Sequence, residues 1–380
     1  SNPVHESNPV HESNPVHESN PTHESNPTHE SNPGAASAGS WPVASYGQAG
    51  SGGRQPVAFV GRRPYRRPDD DIAGRRPVVA IVDTGCGDHP WLRDIVRTDV
   101  TLDGQSIGDT DAATDPERHP DQGGPLDGGI DTLAGHGTFI AGLVHQACPD
   151  ADIVSWRAVS SGGVIVESEW LTVLTQIAEL VRRHADGEEG GHPVDVLNLS
   201  MGYYHETTDD ALFDPTLAKV LDQLAEAGTT VVCSVGNDAT SREFYPAAFS
   251  ARLTGETRVP VVSVGALNPD GASVAMFSNA GPWVRTYAPG AAVLSTLPPF
   301  QGGFEPIART VAEGKERETI DPDDYTGGFA LWSGTSFAAP LVAGRIADAL
   351  VDQLSSSGDS REAAVARSRA AVRAAVPEMR

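Results

Sequence analysis

Apolar residues in this chain gather in five short runs, Val78–Val82, Asp152–Trp156, Val194–Leu199, Thr230–Ser234 and Val259–Val264. Runs of this length, without polar alternation and stopped by turn formers, read as strands buried on both faces of a parallel sheet. Between them the period lengthens to that of helices with one apolar face. Such helices are predicted over Glu167–His184, over Pro215–Ala227 with Asp214 as cap and Gly228 as stop, and over Ser336–Gln353. Another opens at Gly135-His136-Gly137-Thr138, with Phe139, Ile140, Leu143, Val144 and Ala147 on one side. Strand alternating with helix predicts an α/β domain, its mostly parallel sheet covered on both faces. No apolar run approaches the ~20 residues of a membrane span.

The first thirty residues follow another rule. SNPVHE stands three times, then SNPTHE twice, then a broken unit, Ser31-Asn32-Pro33-Gly34. Proline in every unit forbids a continuous helix, and the near absence of apolar residues forbids a core. With the Gly/Ser/Ala-rich stretch that follows, residues 1–53 are expected to be a disordered tail. Residues 54–76 are then a linker or extension, 77–356 the main domain and 357–380 a C-terminal helix. The five His-Glu pairs of the repeat read as part of a solvated spacer rather than a metal site. Pro298 to about Ala330, with a charged middle, reads as an exposed flap close in space to Ser336.

With 380 residues, 39% hydrophobic and 21% charged, the chain is long enough for one large core. Its formal net charge of -24 argues against nucleic acid as a partner. Much of that charge lies between Asp99 and Asp131, where nine carboxylates face one arginine, Arg118. A solvated loop is the favoured reading, a calcium site the alternative. Cys86, Cys148 and Cys233 indicate no disulfide framework and read as small core residues.

Three motifs carry chemistry. VVAIVDTG ends a buried strand on Asp83, GHGTFIAGLV surrounds His136, and SGTSFAAPLVAG surrounds Ser336 at a helix start. Singly, each is ordinary: a strand-end turn, a surface histidine, a serine cap. Together, in the order Asp, His, Ser, they supply a nucleophile, its base and the carboxylate that orients the base. Pro340 is assigned to the first turn of the Ser336 helix, where a missing N–H is harmless. A fourth run, Thr230 to Val235, ends in Gly236-Asn237, whose amide is placed as an oxyanion donor opposite the Ser336 N–H.

From about Pro77 to about Leu354 these motifs resemble the subtilisin-like (S8) serine peptidases. Leu197-Asn198-Leu199-Ser200-Met201-Gly202 is similar to the family's substrate-flanking strand. Phe277-Ser278-Asn279-Ala280-Gly281 and Ala288-Pro289-Gly290 are similar to the segment before its serine. The resemblance implies the subtilisin-like three-layer α/β/α fold and a serine endopeptidase with a covalent acyl-enzyme intermediate. It also implies an extended polypeptide substrate lying between Ser160, Ser161, Gly162 and Gly163 on one side and Ser200, Met201 and Gly202 on the other. Ser200–Gly202 and Ser234, Val235 and Gly236 would wall the pocket for the residue before the cut. No cofactor is required for catalysis. Structural calcium is possible in the family, but Trp91 stands where similar segments carry a ligating Asp, so that site reads as lost. A monomer is expected. The compartment expected is the cytoplasm, since neither a signal peptide nor a folded inhibitory segment is visible, or the exterior if residues precede Ser1. Two alternatives are a binding protein with a retired site and a repeat-bearing precursor fused to its own processing enzyme.

Overall fold

Every residue from Val78 to Asp83 is buried. Alternate side chains leave on opposite faces of a strand: Val79 and Ile81 enter one apolar cluster, Val78, Ala80 and Val82 the other. Apolar side chains on both faces require cover on both faces, and this dictates the layers.

The computed structural model describes residues 27–29, 41–124, 126–205, 212–355 and 360–376. Along the chain come β1 (Pro27–His29), α1 (Trp41–Ala44), β2 (Gln55–Pro56), β3 (Val78–Asp83), β4 (Val96–Arg97), β5 (Thr101–Leu102) and β6 (Gln105–Ser106). The middle alternates: α2 (His136–Ala147), β7 (Asp152–Arg157), β8 (Val164–Val166), α3 (Glu167–Ala185), β9 (Val196–Leu199), α4 (Asp214–Glu226) and β10 (Thr230–Ser234). Then follow β11 (Val262–Leu267), β12 (Thr286–Pro289), β13 (Val293–Thr296), β14 (Arg309–Ala312), β15 (Lys315–Glu318), β16 (Phe329–Trp332), α5 (Thr335–Leu350) and α6 (Arg361–Ala375).

Seven strands form one sheet in the order β12-β11-β10-β9-β3-β7-β4, and every pairing in it is parallel. Helices α2, α5 and α6 share the cluster on one face, α3 and α4 that on the other. The result is a three-layer α/β/α fold, as the strand–helix alternation predicts. α3 seats Trp170, Val173, Leu174, Ile177 and Val181 on its buried stripe, at helical spacing. β3 and β9 sit mid-sheet, so their carboxyl ends meet those of β7 and β10 along one edge, where open α/β sheets hold their ligands.

Several expectations are corrected. The strand expected from Val259 begins at Val262. Asp214 lies inside α4 and accepts bonds from Tyr203 Oη and His205 Nε2 rather than capping the helix. The tail expected to run to residue 53 is anchored on the domain from Val43 onward. Val43 is buried, the Tyr46 ring meets Phe277 edge-on at 4.9 Å, and its hydroxyl donates to Asn268 at 2.7 Å. A few apolar and aromatic anchors suffice to tie down a stretch whose average composition reads as a linker. Most of residues 1–40 lie outside the described residues, but Pro27–His29 forms a strand within the expected spacer. Of the 298–330 insertion, β14 and β15 make an exposed hairpin, while β16 returns to pair with β13 and β2. Trp91 packs edge-on to Phe59 and Phe329, at 4.9 and 5.0 Å.

Candidate active site

β3 ends on Asp83 because Thr84-Gly85 turns the chain away, with Gly85 at φ +106°. The Asp83 carboxylate is fully buried and accepts the Thr84 N–H at 2.8 Å and His136 Nδ1 at 2.9 Å. Its carbonyl accepts from Ala158 and Val159, so the exit of β7 is hung on the same residue.

His136 is the first residue of α2, entered through Gly135 at φ +81°. Gly137 lets this helix end approach the Thr84-Gly85 turn, since a Cβ there would lie 2.0 Å from the Gly85 carbonyl oxygen. The imidazole is gripped by two rings that flank Ser336 in sequence: Trp332 edge-on at 5.5 Å and Phe337 tilted at 5.1 Å.

Ser336 is buried in the first turn of α5. Its hydroxyl donates to the Ser200 carbonyl at 3.2 Å, and the Ser200 hydroxyl donates back to the Ser336 carbonyl at 2.9 Å. The second bond has a cause in the sequence. α5 begins at Thr335, so Pro340 is its sixth residue, past the first turn where it was expected. It cannot donate to the carbonyl four residues earlier, which is that of Ser336. Ser200 fills that vacancy, itself fixed by a bond from Asn198 Nδ2 at 2.9 Å. Proline thus reserves a backbone oxygen by which β9 grips the serine.

Asn237 follows β10 and is buried. Its Oδ1 accepts the Thr335 N–H at 2.8 Å, which settles which way the amide faces and turns Nδ2 to the other side. Gly236 N donates to Thr335 Oγ1 at 3.2 Å, a second tie between this loop and α5. Positive potential at the N-terminus of α5 falls on the same spot.

The residues proposed to flank substrate divide into two groups. Ser200, Met201 and Gly202 are buried, as are Ser234, Val235 and Gly236. Gly202 and Gly236 both back onto Phe244. Ser160, Ser161, Gly162 and Gly163 close a turn, Gly163 N to Ser160 O at 3.0 Å, with Gly163 at φ +78°. The extended segment lies one step further on, at β8.

Three residues important to this geometry were given no role from the sequence, although Asn279 stands in the Phe277–Gly281 segment. Glu117, one of nine acids in its loop, is buried under the site. It accepts Thr84 Oγ1 and Thr138 Oγ1, each at 2.5 Å, and the Gly137 N–H at 3.1 Å. Burial pushes its carboxyl up to about 7, against the pull of the two threonine hydroxyls. The repeated threonine of Asp-Thr-Gly and His-Gly-Thr was the available signal. Arg54 donates to the carbonyls of Ile130, Asp131 and Ala134, just before His136, and lies 4.9 Å over the Trp332 ring. Asn279 accepts from the Asp238 and Thr240 N–H groups and donates to the Val235 carbonyl, stiffening the loop that carries Asn237. The three cysteines are unpaired, and burial beside Glu117 raises the Cys86 thiol, which keeps it protonated and poorly nucleophilic.

A hydroxyl at a helix N-terminus, an imidazole held by a buried carboxylate and an oriented amide are the equipment of nucleophilic catalysis. The sequence model of the subtilase family (Peptidase_S8) matches residues 74–375. The chain belongs to that family, and the class of enzyme so defined is the serine-type peptidase. It is 26% identical over 304 residues to an intracellular serine protease of Paenibacillus polymyxa, covering 76% of this chain and 70% of that one. It is 26% identical to an extracellular protease of Xanthomonas campestris pv. campestris, covering 73% of this chain and 44% of that one. Among solved structures, a cold-adapted subtilisin-like serine proteinase aligns with a TM-score of 0.47 and 20% identity, over 78% of this chain and 85% of that one. Polypeptides are the substrates of this class. Among the described residues no helix is long and apolar enough to cross a membrane.

Proposed function

We propose that the chain is an endopeptidase in which Ser336 is the nucleophile, His136 the general base and acid, and Asp83 the residue that orients His136. Asn237 Nδ2 and the Ser336 N–H receive the oxyanion. The observation that carries the reading is the buried 2.9 Å bond between Asp83 and His136 Nδ1, beside the rings that bracket Ser336.

The Ser336 hydroxyl exchanges the Ser200 carbonyl for His136 Nε2 as acceptor and attacks the scissile carbonyl carbon. Its proton passes to His136, and the imidazolium is stabilised by Asp83. The negative oxygen of the tetrahedral intermediate lies between the two donors. Collapse breaks the C–N bond, the His136 proton leaves with the amine, and an ester remains on Ser336. Water, deprotonated by His136, then releases the acid by the same steps. The substrate chain lies extended between the 160–166 edge and residues 200–202, recognised chiefly through its backbone.

Catalysis in this reading needs no cofactor. The acidic loop uses its carboxylates otherwise: Asp109 pairs with Arg157, Asp103 with Arg183, and Asp111 caps a turn. The enzyme works as a monomer, in the cytoplasm; the intracellular Paenibacillus relative supports that compartment, and the extracellular Xanthomonas relative opposes it. Ser336→Ala is the test of the reaction. Loss of peptide hydrolysis with an unchanged far-UV spectrum and melting temperature is expected, and undiminished hydrolysis would overturn the assignment.

A further inference from the structure

A carbonyl attacked by Ser336 turns its oxygen toward Asn237 and the Ser336 N–H. The side chain just before the cut must then leave beside the segments that meet at those atoms. One is 200–202, joined to Ser336 by the reciprocal Ser200 bonds, and the other is 234–236, which leads into Asn237. β9 and β10 pair as far as Leu199 with Cys233, so the two segments run on side by side past the end of the pairing. Each carries a glycine, Gly202 and Gly236.

Facing glycines leave room for a large side chain between them. Here that room is taken from within the chain. A Cβ on Gly202 would lie 2.5 and 2.7 Å from Cε1 and Cζ of Phe244. A Cβ on Gly236 would lie 3.3 Å from Phe244 Cγ and 3.2 Å from Tyr204 Oη. One ring therefore spans both glycines, and a second ring backs it: Tyr204 and Phe244 stand 4.9 Å apart, tilted by 56°. Phe244 is 1% exposed, as a ring packed in a core is.

The plug is also braced. The Tyr204 hydroxyl donates to Asp238 at 2.6 Å and accepts from Asn279 Nδ2 at 2.5 Å. The Arg242 guanidinium lies 4.7 Å over its ring. Phe244 is held through its neighbour, since Tyr203 and Tyr245 exchange both backbone bonds, at 2.8 and 2.9 Å. A leucine or phenylalanine of the substrate would have to expel a packed aromatic ring and break these bonds. Glycine and alanine ask for no such space.

We propose that Phe244, backed by Tyr204, fills the space for the residue before the cut, so that the enzyme cleaves polypeptides after glycine or alanine. The proposal rests on the endopeptidase reading above and adds to it a substrate class. Large side chains are rejected by bulk, while the substrate backbone still carries the binding.

The test is hydrolysis of matched internally quenched peptides that differ only in the residue before the cut: Gly, Ala, Leu or Phe, with the cut mapped by mass spectrometry. For the natural chain, kcat/KM with Ala is expected to exceed that with Phe or Leu by ~100-fold or more. Hydrolysis after Phe as fast as after Ala overturns the proposal. Phe244→Ala empties the space and is expected to raise the Phe-to-Ala ratio of kcat/KM by about tenfold or more. That truncation leaves a large cavity, so Tyr204→Ala, partly exposed at the rim, is measured as well and is expected to move the ratio in the same direction. A ratio that neither folded variant moves overturns the proposal. Ser336→Ala is run beside them. Hydrolysis that survives it overturns the endopeptidase reading, whereas hydrolysis that needs Ser336 yet favours Phe overturns the filled pocket alone.

Discussion

At the scale of single residues, the site is a set of mutually fixed orientations. Thr335 holds the oxygen of Asn237, so Asn237→Ala removes a donor already aimed. Turnover is expected to fall roughly 100- to 1000-fold, as for loss of such a donor in subtilisin, with KM little changed; steady-state kinetics in which only KM moves would show that Asn237 holds substrate instead. Glu117 makes the site's surroundings pH-sensitive. Its carboxyl stands at about 7 in the folded chain against 4.5 ordinarily. Between these values the folded chain holds a proton that the unfolded chain releases. Stability is therefore fully present below about pH 4.5 and declines as pH rises to about 7, by on the order of 3 kcal/mol. Glu117→Gln cannot titrate, so thermal melts from pH 5 to 8 are expected to fall by several degrees more in the natural chain than in the variant. Parallel melting curves would contradict this. Asp83, His136, Ser336 and Asn237 stood out in the sequence as candidates because each stands among small residues at the end of a strand or the start of a helix. Glu117 was not, because burial alone separates it from the eight other acids of its loop.

At the scale of elements, the helices that carry His136 and Ser336 are set by backbone accidents in the sequence. Pro340 leaves the Ser336 carbonyl open to Ser200, and Gly137 lets α2 meet the Thr84-Gly85 turn. Gly137→Ala would drive a Cβ into the Gly85 carbonyl. It is expected to destabilise the fold by ~2 kcal/mol or more in urea unfolding and to cut turnover, since it pushes His136 away from Asp83. A variant with native stability and full activity would show that the approach is not critical. The strands and helices of the sheet were legible from their periods. Two features were not. Pro340 was assigned to the first turn because the helix start was placed one residue late. The turn at 160–163 was the other, although Gly162-Gly163 after Ser160-Ser161 is a turn signal and the β-branched Val164-Ile165-Val166 of β8 follows at once.

At the scale of the whole molecule, segments outside the sheet hold the site in place. Residues 41–56 lay α1 and β2 against the domain and bring Arg54 to the carbonyls that lead into His136. β16 returns from the 298–330 insertion to deliver Trp332 beside the imidazole. Neither was legible, because average composition conceals a few anchoring side chains such as Val43, Tyr46 and Arg54. The layers and the order of motifs were legible, because a parallel sheet buried on both faces writes itself as short, unbroken apolar runs.

The central claim is that Ser336 is the nucleophile activated by His136. It is tested most directly by treating the full chain with a fluorophosphonate and mapping the adduct by mass spectrometry. One adduct per chain, on the peptide containing Ser336, is expected, and none in Ser336→Ala. An adduct on any other residue, or undiminished labelling of Ser336→Ala, would contradict the account.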